Sequence, residues 1–271
     1  MNMKMHLSGL LVAAAVALSA PAYAATTINL DGGGVNTPGA TTIEGLNVGN
    51  VRTYTSGSVT VTAQGWTYDT SYSPDQLLSS YLGAYSGAGL GVSSPHVDTN
   101  GGSPGNGLGG AEETGTGNQH TVDNNGDGRI DFILLKFSTA VDLTSAYLNV
   151  YDVNPDGSAD GDATAYYKTG AFAPVTGGNA ETYLSQFTSI NLPGSSSGAR
   201  AINGVTYSDT WLIGAAPNSD NNDGFKLYSI SYDTQPGGVP EPATWAMMLL
   251  GFGGLGATLR GKRKASQLAL A

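Results

Sequence analysis

The chain contains no cysteine, three histidines and few charges, with 11 Lys+Arg and 21 Asp+Glu among 271 residues. The missing cysteine excludes disulfides, thiolate metal sites and cysteine nucleophiles. The shortage of Lys and Arg, at a net charge of −10, excludes nucleic acid as a partner, because phosphate contacts need clustered cations. No amphipathic helix longer than about ten residues is legible. The 40 glycines, about twice the usual share, explain part of that, since Gly costs about 1 kcal/mol against Ala inside a helix. A hydrophobic content of 40% is nevertheless too high for a disordered chain.

The two ends carry the sharpest signals. Lys4, the apolar stretch from Leu7 to Ala20 and the small residues Ala22 and Ala24 around Tyr23 form a secretory signal with an A-x-A cleavage site. Residues 1–24 are thus expected to be removed by signal peptidase. At the other end Pro240-Glu241-Pro242 precedes an uncharged run from Ala243 to Leu259, at the short limit for a membrane helix. Arg260, Lys262, Arg263 and Lys264 follow and would hold that end in the cytoplasm. Five of the 11 basic residues lie in these end segments, against one of the 21 acidic residues, so the body between them carries 6 and 20, a net −14. The chain therefore pairs a basic address label with a strongly acidic cargo.

Residues 239–271, with Pro-Glu-Pro, Trp245-Ala246-Met247-Met248 and Gly251-Phe252-Gly253-Gly254-Leu255-Gly256, resemble the PEP-CTERM sorting signal of Gram-negative bacteria. A segment of this kind is also known as an ice-binding protein C-terminal domain, a name that carries no ice chemistry. The resemblance implies recognition by an exosortase near Pro240-Glu241-Pro242. It also implies transient membrane anchoring and release to the cell surface or matrix, beside exopolysaccharide. The tail Ala265 to Ala271 runs past the usual end of such signals. Within the body, Leu82 to Val92, His120 to Asn124, Asp131 to Leu143, Trp211 to Ala215 and Asp223 to Leu227 resemble exosortase-dependent surface proteins with no assigned activity.

Residues 25–238 read as one all-β domain, a jelly-roll-like β-sandwich, followed by a transmembrane sorting helix. Short β-branched and aromatic runs alternate with Gly, Asn, Asp and Pro. Strands are expected over Thr26–Leu30, Val51–Thr55, Ser58–Tyr68, Ile130–Ser138, Leu143–Val153, Ala163–Lys168, Val205–Ala215 and Phe225–Tyr232. The run Ile130–Ser138 is the most apolar and is expected to be central. Ser73-Pro74-Asp75-Gln76 has the form of a helix start reaching to Tyr81. Ala180–Phe187 is a second helix candidate. Gly101–Gly117 reads as an exposed loop.

Three acidic loops are candidate calcium sites. Asp123, Asn125, Asp127 and Asp131 occupy positions 1, 3, 5 and 9 of an EF-hand-type loop, and Asp152, Asn154, Asp156 and Asp160 repeat the pattern. Both depart from it: position 12 is Leu134 in the first and Ala163 in the second, where Asp162 sits one place early. Asp220 to Gly224 is a fragment of the same kind. Tight Asn-Gly and Asp-Gly turns account for the same residues, and both readings stay open. Any calcium would be a weakly held extra, since nothing in the sequence requires a cofactor.

Enzyme chemistry has little to stand on. His96 and His120 are the only histidines of the body, with no HExxH motif and no Gly-x-Ser-x-Gly elbow. Glu112 and Glu113 lie in the Gly loop, a poor place to hold paired carboxylates for glycoside hydrolysis. Gly105 to Gly110 spells GxGxxG but neither follows a strand nor opens a helix. Trp66, Tyr68 and Tyr72 form an aromatic cluster suited either to sugar rings or to core packing. The expected protein is thus non-enzymatic and structural or adhesive, with a carbohydrate-binding module as the alternative and a secreted hydrolase as a distant third.

Overall fold

The computed structural model describes residues 25–43, 46–94, 120–124, 128–153, 159–204, 207–217, 222–235, 246–256 and 260. Of the residues singled out above, Ala22, Ala24, His96, the Gly101–Gly117 loop, Asn125, Asp127, Asn154, Asp156, Pro240, Glu241, Pro242, Lys262, Arg263 and Lys264 lie outside the described residues.

The strands, in chain order, are β1 (Thr26–Asn29), β2 (Val35–Thr37), β3 (Thr41–Ile43), β4 (Leu46–Val48), β5 (Val51–Ser56), β6 (Val59–Asp69), β7 (Gln76–Tyr85) and β8 (Gly89–Ser93). They continue with β9 (Val122–Asp123), β10 (Arg129–Val150), β11 (Ala163–Lys168) and β12 (Gly178–Asn179), then the helix α1 (Ala180–Leu184). The last are β13 (Thr188–Leu192), β14 (Gly198–Ala201), β15 (Ser208–Ala215) and β16 (Gly224–Thr234). The body, Ala24–Gln235, is one compact all-β unit. Its main sheet runs β13-β11-β15-β10-β16-β8-β7-β6-β5-β2, and an additional β10–β6 pairing closes the path on itself. β3 and β4 form a separate hairpin.

β10 organises this body. Its first half pairs with β6 from Arg129↔Asp69 to Phe137↔Val61 and with β15 on its other side. Its second half pairs with β16 and β14. Two separate strands, Ile130–Ser138 and Leu143–Val153, were expected here. One strand of 22 residues is found. No Gly or Pro lies between Phe137 and Val150 to break it. It bends by irregular register instead, including an extra residue at Thr144 opposite β16.

The apolar run in β10 is apolar because both its faces are buried. Ile133, Leu135 and Phe137 point into the main core with Leu82, Leu90, Trp211 and Phe225. Phe132 and Leu134 point the other way, into a second core with Trp66, Leu77, Tyr166, Phe172 and Leu212, which Tyr183 and Leu184 of α1 help to cover. Each fully buried Leu or Phe contributes about 1.5–3 kcal/mol by leaving water. Central placement of this run, expected from its composition, is what the structure shows.

Two local readings are corrected. Residues 74–81 do not form a helix: Gln76–Tyr85 is β7, hydrogen-bonded to β6 and β8. Leu77, Leu78 and Leu82 gain burial by that pairing, and tertiary packing overrides a local cap signal. In β16, Phe225 and Leu227 were expected on the face opposite Ile230 and Tyr232. All four enter the main core, because Tyr228 is an extra residue between Tyr147↔Ser229 and Leu148↔Leu227 and shifts the alternation. The helix read over Ala180–Phe187 is present but ends at Leu184. Asn179 caps it, its side chain accepting a hydrogen bond from the Thr182 amide at 2.7 Å.

At the C-terminal end, residues 246–256 are helical and Met247, Leu249, Leu250, Phe252 and Leu255 are exposed. Among the described residues no helix is long and apolar enough to cross a membrane.

Candidate functional site

The three acidic loops do not behave as three separate sites. The structure gathers Asp160 and Asp162 from the second with Asp223 from the third, one carboxylate oxygen of each lying within 4.8 Å of the others. A short parallel bridge joins Asp160 to Asp223, and the Gly224 amide donates to the Asp160 carbonyl at 2.9 Å. Gly224 is required by this approach, since a Cβ there would lie 2.3 Å from Val153 Cγ1. Neither Gly161 nor Gly224 has the positive φ of a tight Asp-Gly turn, whereas Gly128, at the end of the first loop, has a φ of +83°. The turn reading therefore describes the first loop and not the other two.

Asn124, from the first loop, completes the arrangement. Its amide nitrogen donates to Asp223 Oδ2 at 2.8 Å and to the Ala216 carbonyl at 2.9 Å, while its side-chain oxygen accepts from the Asp223 amide at 3.0 Å. Asp223 is fully buried, and its Oδ1 accepts from the Asp162 amide at 3.0 Å. Oδ1 of Asp160 accepts from the Gly161 amide, and Oδ1 of Asp162 from the Gly194 amide. The Oδ2 atoms of Asp160 and Asp162 take no hydrogen bond among the described residues. Three carboxylates this close repel one another by on the order of a few kcal/mol per charged pair. Backbone N–H groups offset part of this, and a hard cation with oxygen ligands is the chemistry that offsets the rest.

The other expected ligands are placed elsewhere. Asp131 lies in β10, where its carboxylate accepts from Thr67 Oγ1, itself hydrogen-bonded to Ser80 across β6 and β7. Asp123 accepts from Thr121 Oγ1. Asp152 is not part of the carboxylate group. Asp162, Asp223 and Asn124 were not among the residues chosen from the loop spacing. The signal available for them was the recurrence of short Asp-Asn-Gly stretches, which does not say that the stretches meet.

The aromatic cluster is divided. Trp66 is 6% exposed and packs in the second core, with its indole N–H unpartnered. It offers no ring face to solvent. Tyr68 and Tyr72 are half-buried. The Tyr68 hydroxyl donates to Asp75, and burial together with that hydrogen bond pushes its phenol up to about 12.

His120 takes a role the sequence only hinted at. It lies at φ +65°, unusual for a residue other than glycine. Its Nδ1 shares a hydrogen bond with Ser93 Oγ, and its ring stacks on Tyr85 with centroids 5.8 Å apart. Lys226 lies over the rings of Tyr85 and Tyr151, at 5.2 and 4.3 Å. Burial first, and Lys226 second, hold the imidazole below its ordinary pKa. Ser93 is only 2% exposed, so this pair ties β8 to the start of β9.

Among known families, that of the PEP-CTERM protein-sorting motif matches residues 238–264. The chain thus carries a sorting signal of exported proteins handled by an exosortase, as its C-terminal residues led us to expect. Nothing matches the chain among curated proteins, and nothing among solved structures.

Proposed function

We propose that the chain is a non-enzymatic surface or matrix protein with a structural or adhesive role in the exopolysaccharide layer. The observation that carries this reading is the sorting motif at residues 238–264, attached to an acidic all-β body. In this reading residues 243–259 sit in the membrane until the exosortase acts near Pro240-Glu241-Pro242, and signal peptidase has already cut after Ala24. The body acts as a two-layer, jelly-roll-like sandwich in which β10 passes between layers. The gathering of Asp160, Asp162 and Asp223 favours a second element of the reading, one weak calcium site that fastens three loops. Acidity suits such a divalent partner better than an anionic one.

The test is retention of the purified protein on exopolysaccharide from its own host, with and without a chelator. Retention is expected in calcium and reduced in chelator. No retention in either condition would leave the adhesive role without support.

A further inference from the structure

The face of the sheet that carries the second core also carries two adjoining hollows, each of about 320 Å³. They share Tyr166 and Pro217 and so form one groove. Each hollow falls in the size range of small-ligand sites. One end is apolar and aromatic, built from Tyr68, Phe132 and Tyr166 with Glu181 at the side. The other end is polar, built from Asp162, Thr164, Ser189 and Asn191.

Strand register builds the polar end. Asp162, Thr164 and Tyr166 are two residues apart along the chain, so they share a face, while Ala163 and Ala165 face the main core. Across the ladder, Thr164 pairs with Asn191 and Tyr166 with Ser189. Ser189 and Asn191 are exposed, whereas Leu192 is buried in the main core. Neither the Ser189 nor the Asn191 side chain takes a hydrogen bond among the described residues, and the Glu181 carboxylate takes neither a hydrogen bond nor an ion pair there. β13 ends the strand path, so the groove opens at a sheet edge where an extended polymer can lie along it.

We propose that this groove binds a run of neutral sugar residues, an inference that rests on the adhesive reading above. A sugar ring has one face of C–H groups and a rim of hydroxyls. The aromatic end offers flat apolar area to the first, and the Thr, Ser, Asn and carboxylate groups offer hydrogen bonds to the second. A fully apolar ligand would strand the polar end, and a small polar one would waste the aromatic end. No Lys or Arg lines either hollow, and Glu181 and Asp162 place negative charge at its two ends, which turns away uronate-rich or sulfated chains.

The experiment separates the host exopolysaccharide into neutral and acidic pools by anion exchange and immobilises each. Retention is measured for the wild-type protein and for the double variant Ser189→Ala/Asn191→Ala, which alters two exposed side chains and should leave the melting temperature unchanged. A Tyr166→Leu variant tests the aromatic end, with its melting curve recorded alongside. The wild type is expected on the neutral pool, with the double variant at least tenfold weaker. If the double variant binds as tightly as the wild type, the groove is wrong while adhesion stands. Retention on the acidic pool alone overturns the neutral ligand class. Absence of wild-type retention on both pools overturns the adhesive reading and the groove's ligand with it.

Discussion

Arg129 and Asp69 face each other where β10 begins and β6 ends, with Nε 3.2 Å from Oδ2 and side chains 9% and 0% exposed. At an effective dielectric constant of about 20, two unit charges at that distance attract by about 5 kcal/mol. Desolvation costs several kcal/mol per ion, so the pair as a whole is worth little against an apolar pair of the same size. Removing one partner is different, because the other charge then stays buried without its counterpart. Asp69→Ala or Arg129→Met should each cost about 3–5 kcal/mol. That is roughly 6–20 °C in melting temperature for a domain of this length. The double variant Asp69→Leu/Arg129→Met should cost much less than the two single losses added together.

The same pair sets an acid limit. Burial disfavours the ionised Asp69, but hydrogen bonds from Ser71 and the Arg129 guanidinium outweigh it and hold the carboxyl below its ordinary value. A carboxyl with a depressed folded pKa stabilises fully above its unfolded value of about 3.9, and that stabilisation is lost as pH falls through the folded value. Urea unfolding of the four proteins at pH 7 and again below pH 4 reads both effects. The advantage of wild type over Asp69→Asn should shrink in acid. Single variants losing under about 1 kcal/mol at pH 7, or losses that simply add in the double variant, would refute the reasoning.

Two further outcomes follow from the acidic loops and from His120. With a calcium dissociation constant of about 10⁻⁴–10⁻³ M, 10 mM calcium should raise stability by about 1.4–2.7 kcal/mol, or roughly 3–11 °C by calorimetry against a chelator control. Asp223→Asn should abolish the shift, and a wild-type shift under about 1 °C would rule the site out. The folded His120 pKa lies below the unfolded value of about 6.5, so the unfolded chain takes up the proton first and stability falls as pH drops from about 7 through the folded value. His120→Asn, which tolerates the positive φ, should flatten that part of the urea-midpoint profile, and an unchanged slope would remove His120 as its source.

Much of the strand pattern was legible because it is local. Val59 and Val61 alternate with Thr60 and Thr62 in β6, and the structure buries the valines and half-exposes the threonines. Ala163–Lys168 is found with the bounds expected from its residues. The failures are equally physical. Pro74 and the residues around it carry a helix-start signal, yet the chain beyond gains more by pairing with β6 and β8. An extra residue at Tyr228 reverses the alternation in β16, and no periodicity within that strand announces it.

Export and sorting were written in the sequence alone, because peptidases read short contiguous segments that need no partner from elsewhere in the chain. The all-β class was written there too, through strand periodicity and turn residues. The carboxylate group was not. Asp162 and Asp223 stand 61 positions apart, and Asn124 and Asp223 stand 99 apart. Long-range strand register brings them together, and that register is set by which apolar faces bury each other rather than by the acidic residues themselves. The groove over β11 has the same origin: Tyr68, Tyr166 and Asn191 become neighbours only when β6, β11 and β13 take their places around β10 and β15.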